Sequence, residues 1–341
     1  FLAALLIVNL AASAQKKFSV YAVGFYNQEN LFDTCHDEGK KDYEYLPSKG
    51  WNGMKYTNKL RNMSKALADM GTDVLPNVGC AFIGLSEVEN HKVLDALVDQ
   101  APLKARNMKY VHIEGPDRRG IDCALLYNPS LFSVKNVKLL PYVQELAKDS
   151  AFFTRGFLTV RGEMAGDDVA VIVCHWPSRF SGPFYRESAA RQVKVIKDSL
   201  LNVNQEMKIF VMGDMNDDPV NKSMHVYLQA KPEISQVGAG DMYNPWYNVL
   251  AKEGKGTLFY SGNWNLFDQI VITPNLLNKD AKKKDYSSLK YWKSHIFRRD
   301  YLIQQEGQYK GAPLRTTAGG RWLNGYSDHL PVVMYLVKEK K

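Results

Sequence analysis

The chain predicts an α/β (α+β) fold in which two β-sheets pack together under a cover of helices. Three observations carry this. Eight short runs are rich in Val, Ile, Phe or Tyr and bounded by turn residues: 18–26, 81–85, 121–127, 157–161, 169–175, 208–212, 268–272 and 331–337. Only two stretches carry helical spacing, and they do not alternate strictly with the strands. No repeat, low-complexity tract or Pro/Gly/Ser linker divides residues 15–341, so one domain is expected over that span.

Taken in order, residues 1–12 form an uncharged apolar run, too short to span a bilayer comfortably. Ala12-Ser13-Ala14 and the polar Gln15-Lys16-Lys17 follow it. Residues 1–14 therefore read as a truncated secretory signal peptide, with its apolar core and cleavage site but without its basic start. The expectation is export, to the periplasm or beyond the cell; an apolar N-terminal strand or helix is the alternative. No later run approaches about 18 apolar residues, so no stable membrane association is expected.

Run 18–26 leads into Asn27 and Glu29. Residues 57–70 read as a helix, with Thr57 as N-cap, Leu60, Met63, Leu67 and Met70 on one face, and Gly71 as the stop. Run 81–85 leads into Glu87, and run 169–175 closes on His175. A second helix, 188–200, carries Ala189, Val193, Ile196 and Leu200 at helical spacing. Run 208–212 leads into Asp214 and Asn216, run 268–272 opens on Asp268, and Asp328 and His329 precede run 331–337. Of the four cysteines, Cys80, Cys123 and Cys174 sit in strand-like apolar runs and read as buried core residues, and none has zinc-ligand spacing.

Carboxylates, amides and imidazoles at strand ends are what a site on a rigid sheet edge requires. The sheet fixes their positions and the loops leave them open to substrate. Any one alone has a simpler reading, because a strand-end Asp or Asn is usually a turn former. Five such positions in one chain favour a site.

The stretches YNQENLFD (26–33), GLSEVEN (84–90), RRGIDCALLYNP (118–129), CHWPSR (174–179), GDMNDDP (213–219), FDQIVIT (267–273) and YSDHLP (326–331) occur in this order. Together they resemble the endonuclease/exonuclease/phosphatase superfamily, the fold of deoxyribonuclease I, exonuclease III and the inositol polyphosphate 5-phosphatases. The resemblance spans about residues 18–338. It implies a four-layer sandwich, two mixed β-sheets flanked by helices, and a divalent-metal-dependent phosphoesterase. Glu87 is then the leading metal ligand, Asn27 helps to hold the metal or the scissile phosphate, and Asp328 lies close to the metal or its water shell. All-oxygen ligands of this kind suit Mg²⁺ or Mn²⁺.

The same resemblance makes Asp214 the residue that orients or deprotonates the attacking water and Asn216 a phosphate-contacting amide. His329, partnered by Asp268, contacts the phosphate and takes part in proton transfer, and His175 lies against the phosphate or leaving oxygen. Which of Asp214 and His329 is the base stays open. Arg118, Arg119, Arg179, Arg186 and Arg191 are either phosphate contacts or solvated surface residues, and Trp176 either stacks on a base or packs.

The net charge of +8 permits an anionic partner without choosing one. Residues 279–321 hold eleven lysines and arginines against four acids, so +7 of it falls in the segment between Asp268 and His329. Six aromatic residues are interleaved there and Trp322 follows directly, which fits backbone tracking with base stacking. An ordinary solvated excursion is the alternative. The expected activity is hydrolysis of phosphodiester bonds in nucleic acid by a monomer, most simply as an endonuclease. A phosphatase or phosphodiesterase acting on a lipid or sugar phosphate comes second, and a non-catalytic binding protein on the same scaffold third.

Overall fold

The computed structural model describes residues 17–145, 152–280 and 282–340. The apolar run 1–12 and its cleavage site lie outside the described residues. Six strands form the first sheet: β1 (Phe18–Leu31), β2 (Cys80–Val88), β3 (Lys109–His112), β4 (Asp122–Tyr127), β14 (Lys290–Ile296) and β17 (Val332–Glu339). They lie in the order β14-β17-β1-β2-β4-β3. The second sheet has seven: β5 (Phe132–Leu140), β6 (Phe157–Met164), β7 (Asp167–His175), β8 (Lys208–Asp214), β9 (Ala230–Lys231), β10 (Met242–Tyr243) and β13 (Asp268–Ile272). Their order is β5-β6-β7-β8-β13-β10-β9. Both sheets are mixed, because β1 runs parallel to β2 and β7 parallel to β8 while β17 and β13 run against their neighbours.

Period-2 alternation builds the layers. In β1, Val23 and Phe25 face inward and join Phe82, Val171, Phe210, Met212 and Met334 in the core between the sheets. Ala22 and Tyr26 point the other way, onto Leu60, Met63 and Leu67 of helix α1 (Gly53–Asp69). In β8 the inward residues are Phe210 and Met212, while Ile209 and Val211 meet Ala189 and Val193 of α4 (Pro183–Val203). The result is helix, sheet, sheet, helix, the four-layer sandwich expected. Each fully buried Leu, Phe or Met contributes about 1.5–3 kcal/mol. Gly84 leaves room for the second sheet, since a Cβ there would lie 2.7 Å from Met212 Sδ of β8, and 3.0 Å from Phe25 Cδ2 of its own sheet.

All eight predicted strands form, several of them longer than expected. Helix α1 starts earlier than predicted: Asn52, not Thr57, is its N-cap, accepting a hydrogen bond from the Lys55 N–H at 3.1 Å. Thr57 lies one turn inside. Helix α4 likewise starts earlier, at Pro183, and runs on to Val203. Helix α2 (His91–Val98), the short α3 (Ala101–Ala105) and α5 (Trp246–Ala251), and strands β3, β5 and β14 had no counterpart in the sequence reading. Strands β3, β5 and β14 lie at sheet edges, where one flank meets water and lysines are tolerated, so the apolar signal is diluted. Two hairpins complete the structure: β11 (Leu258–Tyr260) with β12 (Asn263–Asn265), and β15 (Thr317–Ala318) with β16 (Arg321–Trp322). Cys80, Cys123 and Cys174 are buried free thiols, and Cys35 is an exposed one. Among the described residues no helix is long and apolar enough to cross a membrane.

Candidate active site

Register brings the polar strand ends together at one end of the sandwich. In the second sheet, His175 of β7 pairs with Asp214 of β8, and Asp214 pairs with Asp268 of β13. Three adjacent strands thus present an imidazole and two carboxylates in a row. The first sheet contributes Asn27 from β1 and Glu87 from β2, with Asp328 and His329 on the approach to β17. Hydrogen bonds join the halves across the sandwich, the first of them from Asn27 Nδ2 to Asp214 Oδ2 at 3.0 Å. Ser327 Oγ donates to the Asn27 carbonyl at 2.8 Å and accepts from the His329 N–H at 3.1 Å, tying the loop of Asp328 to the end of β1.

The backbone is strained at these positions. Glu29 (φ 44°), Asn30 (φ 57°), Glu87 (φ 59°) and Asn216 (φ 48°) all adopt left-handed conformations without being glycine. Glu87 occupies a register break between β2 and β4, so the bulge turns its side chain away from the ladder. Gly213 is required for contact: a Cβ there would fall 2.2 Å from the Cys174 carbonyl oxygen of β7.

His329 Nδ1 lies 2.7 Å from Asp268 Oδ2, and both side chains are buried. Burial disfavours the imidazolium, but the charge and hydrogen bond of Asp268, with Asp214 and Asp328 behind them, raise His329 well above the ordinary histidine range. Its Nε2 faces Asp214 Oδ2 at 3.9 Å and Asp328 Oδ1 at 4.0 Å. Burial pushes Asp214 up to about 6, opposed by the charge of His329 and assisted by Asp268. His175 is driven the other way: burial, with Arg155 and Arg119 adding, pulls it well below the ordinary value and keeps it neutral. Its Nε2 sits 3.7 Å from Asp214 and 3.9 Å from Glu87 Oε1. These 3.7–4.0 Å separations exceed hydrogen-bond length, so a single oxygen atom among them can be shared by several groups.

Glu87 Oε2 accepts the Asn30 N–H at 3.0 Å, while Oε1 accepts no hydrogen bond among the described residues and has only long contacts, at 3.9 Å, to Arg119 and His175. No group of three or more His, Cys, Asp or Glu side chains among the described residues is arranged to hold a metal. Glu87 Oε1, which accepts no hydrogen bond among the described residues, is a carboxylate oxygen of the kind that hard divalent cations take beside water and substrate oxygens. Asn27 Oδ1 accepts the Glu29 N–H at 2.8 Å, and Asp328 Oδ2 accepts from Arg315 Nη2 at 3.1 Å. Asn216 donates its backbone N–H to Asp214 Oδ1 at 2.9 Å and its amide to the Trp176 carbonyl at 3.0 Å.

The sequence reading assigned no role to the support behind these groups. Glu29 is buried, accepts the Thr316 N–H at 2.6 Å and pairs with Arg315 Nε at 3.2 Å, so Arg315 bridges Glu29 and Asp328. Lys59 of α1 is fully buried and donates to Thr316 Oγ1 at 2.6 Å and the Tyr326 carbonyl at 2.5 Å. Burial raises Glu29 and lowers Lys59, with the carboxylate and ammonium each moderating the other. A lysine inside the apolar stripe of 57–70 was the one signal that could have pointed here.

The arginines separate by environment. Arg119 lies beside Glu87 and bonds the Asn30 side chain. Arg179 reaches the Asn216 carbonyl at 3.2 Å and Asp218 at 2.9 Å and lies over the Phe267 ring. Arg186 is instead a buried partner of Asp217, Arg191 pairs with Glu145, and Arg118 lies over Phe153. Trp176 is 1% exposed, so it packs rather than stacking on a ligand. The basic segment 279–321, although it lies between Asp268 and His329 in the chain, does not gather as a whole at the site. Lys290 pairs with Val337, at the end of β17 away from His329, and the Tyr286 carbonyl accepts from Glu339 in the same region. Lys279 donates to the Val237 carbonyl and Lys290 to that of Asn275. Five of the eleven basic residues, Lys279 to Lys290, thus lie at the opposite pole; β14 carries the chain from there back toward the site.

Among solved structures, an endonuclease/exonuclease/phosphatase family protein from Bacteroides thetaiotaomicron matches with a TM-score of 0.55 at 14% identity, covering 95% of this chain and 97% of that one. TDP2 of D. rerio, in complex with a single-strand DNA product, matches at 0.54 and 11% identity over 93% and 99%. A mannosyl-6-phosphatase of Bacteroides thetaiotaomicron matches at 0.54 and 14% identity over 93% and 99%. At these identities the likeness is one of fold. Comparison with the curated proteins finds no match. The model of the Endonuclease/Exonuclease/phosphatase family matches residues 22–338, nearly the whole chain. With the two packed mixed sheets and the cluster of polar strand ends between them, the chain belongs to the endonuclease/exonuclease/phosphatase family.

Proposed function

We propose that the protein is a divalent-metal-dependent phosphodiesterase that cuts nucleic acid. The observation that carries this is the buried His329–Asp268 pair, which directs a charged imidazole Nε2 toward Asp214 across 3.9 Å. Asp214, ionised above about pH 6, takes the proton of the attacking water. The His329 imidazolium donates to a phosphoryl oxygen and stabilises the charge that develops there. This assigns Asp214 as the base, since His329 is held protonated and has no free lone pair facing the phosphate. His175 and the amides of Asn27 and Asn216 orient the phosphate and the base. Mg²⁺ or Mn²⁺, held on Glu87 with Asn27 and Asp328 alongside, supplies neutralisation of the phosphoryl charge when bound.

Nucleic acid is favoured by the exposed aromatic residues near the site. Phe180, next to Arg179, is fully exposed, and Tyr260 in the β11–β12 hairpin is 68% exposed. Aromatic faces beside arginines are stacking platforms for unpaired bases. A sugar phosphate is the second reading, favoured by a cavity of about 810 Å³ beside Arg315 and Asp328 that offers Ser261, Gln304 and Gln308 to a polar ring. Export rests on the apolar run 1–12, and action as a monomer is carried with the proposal.

The deciding experiment is a panel with Mg²⁺ or Mn²⁺ over plasmid, single-stranded DNA, RNA, sugar phosphates and a chromogenic bis-phosphodiester, run with the unmodified protein and with Glu87→Gln. Cleavage of polynucleotide and diester, lost with EDTA and in Glu87→Gln, is expected. Activity on monoesters alone moves the assignment to the sugar-phosphate reading, and activity surviving Glu87→Gln removes Glu87 from the metal site.

A further inference from the structure

A second cavity, of about 530 Å³, lies beyond the first. The two share their walls. The hairpin β11–β12 presents Phe259 and Tyr260 to the first cavity and Trp264 to the second, with Phe259 and Trp264 packed edge to face at 5.2 Å. The segment after β14 does the same: Tyr309 and Ala312 line the first cavity, Lys310 and Gly311 the second. The first cavity opens on Arg315 and Asp328, and the second touches Leu330, the residue after His329.

The two differ in chemistry. The first is edged by exposed aromatic rings, Tyr260 at 68% and Tyr309 at 52%. The second carries Lys255, Arg298 and Lys310 against a single acid, Glu253, which pairs with Lys255 at 2.8 Å. Among the described residues the side chains of Arg298 and Lys310 form no hydrogen bond or ion pair, so their charges are not spent inside the protein. Leaving the reaction centre, a chain would meet Arg315, then stacking faces, then unpaired cations. That order is the alternation of base and phosphate along a single strand.

We propose that the second cavity binds a backbone phosphate of a single-stranded polynucleotide whose scissile phosphate lies at Asp214 and His329, with Arg298 and Lys310 as its ligands. This rests on the nuclease reading above and adds the direction in which the substrate leaves the site.

The test compares Arg298→Gln/Lys310→Gln with Lys283→Gln/Lys284→Gln, which removes the same charge at the opposite pole. Binding of a fluorescein-labelled oligothymidylate is followed by anisotropy in EDTA, so that nothing is cleaved, over a series of salt concentrations. Hydrolysis of the chromogenic diester is measured separately with Mg²⁺ or Mn²⁺. The first variant should bind about ten-fold more weakly, with a log–log salt slope shallower by about 1.4 for two lost single-strand phosphate contacts, and should hydrolyse the diester at the unmodified rate, which also reports that it is folded. The control should match the unmodified protein in both. Equal weakening in both variants, or none in the first, overturns the cavity assignment while diester hydrolysis leaves the catalytic reading standing. Absence of diester hydrolysis in the unmodified protein removes the catalytic reading, and the binding difference then judges the cavity alone.

Discussion

Replacing Asp268 by Asn probes the centre of the proposed mechanism with almost no change of shape. Asp268 is fully buried, its Oδ2 lies 2.7 Å from His329 Nδ1, and its Oδ1 has no hydrogen-bond partner among the described residues. Opposite charges at that distance attract by about 6 kcal/mol at an effective dielectric of about 20, a gross value that desolvation of both groups reduces. Breaking a buried pair costs about 3–5 kcal/mol when a charge is left stranded. His329 can discharge instead, so the loss of stability should stay below that range. The catalytic cost is larger in consequence, because a neutral imidazole is a weaker donor to the phosphoryl oxygen. Loss of one such donor lowers kcat by about 10²–10³-fold, or about 2.7–4 kcal/mol.

The pH dependence follows with a definite sign. A raised histidine stays charged, and its stabilisation persists, until pH rises through the raised folded value. The alkaline limb of kcat/KM in the unmodified protein should therefore lie above the ordinary histidine range, and in Asp268→Asn it should move down. The acid limb, set by Asp214, should lie above the ordinary carboxylate range in the unmodified protein. Stopped-time hydrolysis of the chromogenic diester across pH, with imidazole NMR shifts for His329, measures both. An Asp268→Asn protein that keeps more than about a tenth of the activity with an unmoved alkaline limb refutes the reasoning.

Two further predictions concern the scaffold. Gly213→Ala puts a methyl 2.2 Å from the Cys174 carbonyl, backbone against backbone, and should cost about 3 kcal/mol or more in urea unfolding while displacing Asp214; a change below about 1 kcal/mol would show that β7 and β8 separate freely. Asp69 accepts from Thr72 Oγ1 and Tyr301 Oη at 2.6 Å and from Arg299 Nε at 3.2 Å. Burial works against its charge, but these donors hold it below the ordinary carboxylate range. Its contribution is thus present above the unfolded carboxylate pKa of about 3.9 and is lost as pH falls through the lower folded value. Asp69→Asn should cost about 1–2 kcal/mol at neutral pH, at the low end because the side chain is about one-third exposed, and the difference should fade in acid. A difference that persists unchanged below about pH 3 would assign the loss to packing instead.

Strand content, the layered architecture and the strand-end residues were legible in the chain because each is a local pattern. The β-rich runs 169–175 and 208–212, bounded by turn residues, announce strands, and a strand that ends in Glu87, His175 or Asp214 announces a sheet-edge site. The edge strands were not legible: β14 carries two lysines and a serine, and only its pairing with β17 makes it a strand. Nor was the sign of each titration. His175 and His329 are both strand-end histidines, yet Asp268, with Asp214 and Asp328 behind it, makes one a cation, and burial beside Arg155 and Arg119 makes the other neutral.

The distribution of charge shows the same division. The sequence by itself determined that residues 279–321, which lie between Asp268 and His329, carry +7, because that is a count along the chain. Only the tertiary structure decided that Lys279 to Lys290 fall at the far pole while Arg315 reaches Asp328 and Arg298 and Lys310 share a cavity beyond it. Two residues that bracket a segment fix where its ends lie; a strand running the length of the sheet then separates the charges between them. Coulombic effects depend on that separation in space and on the dielectric around each group, neither of which is written in chain order.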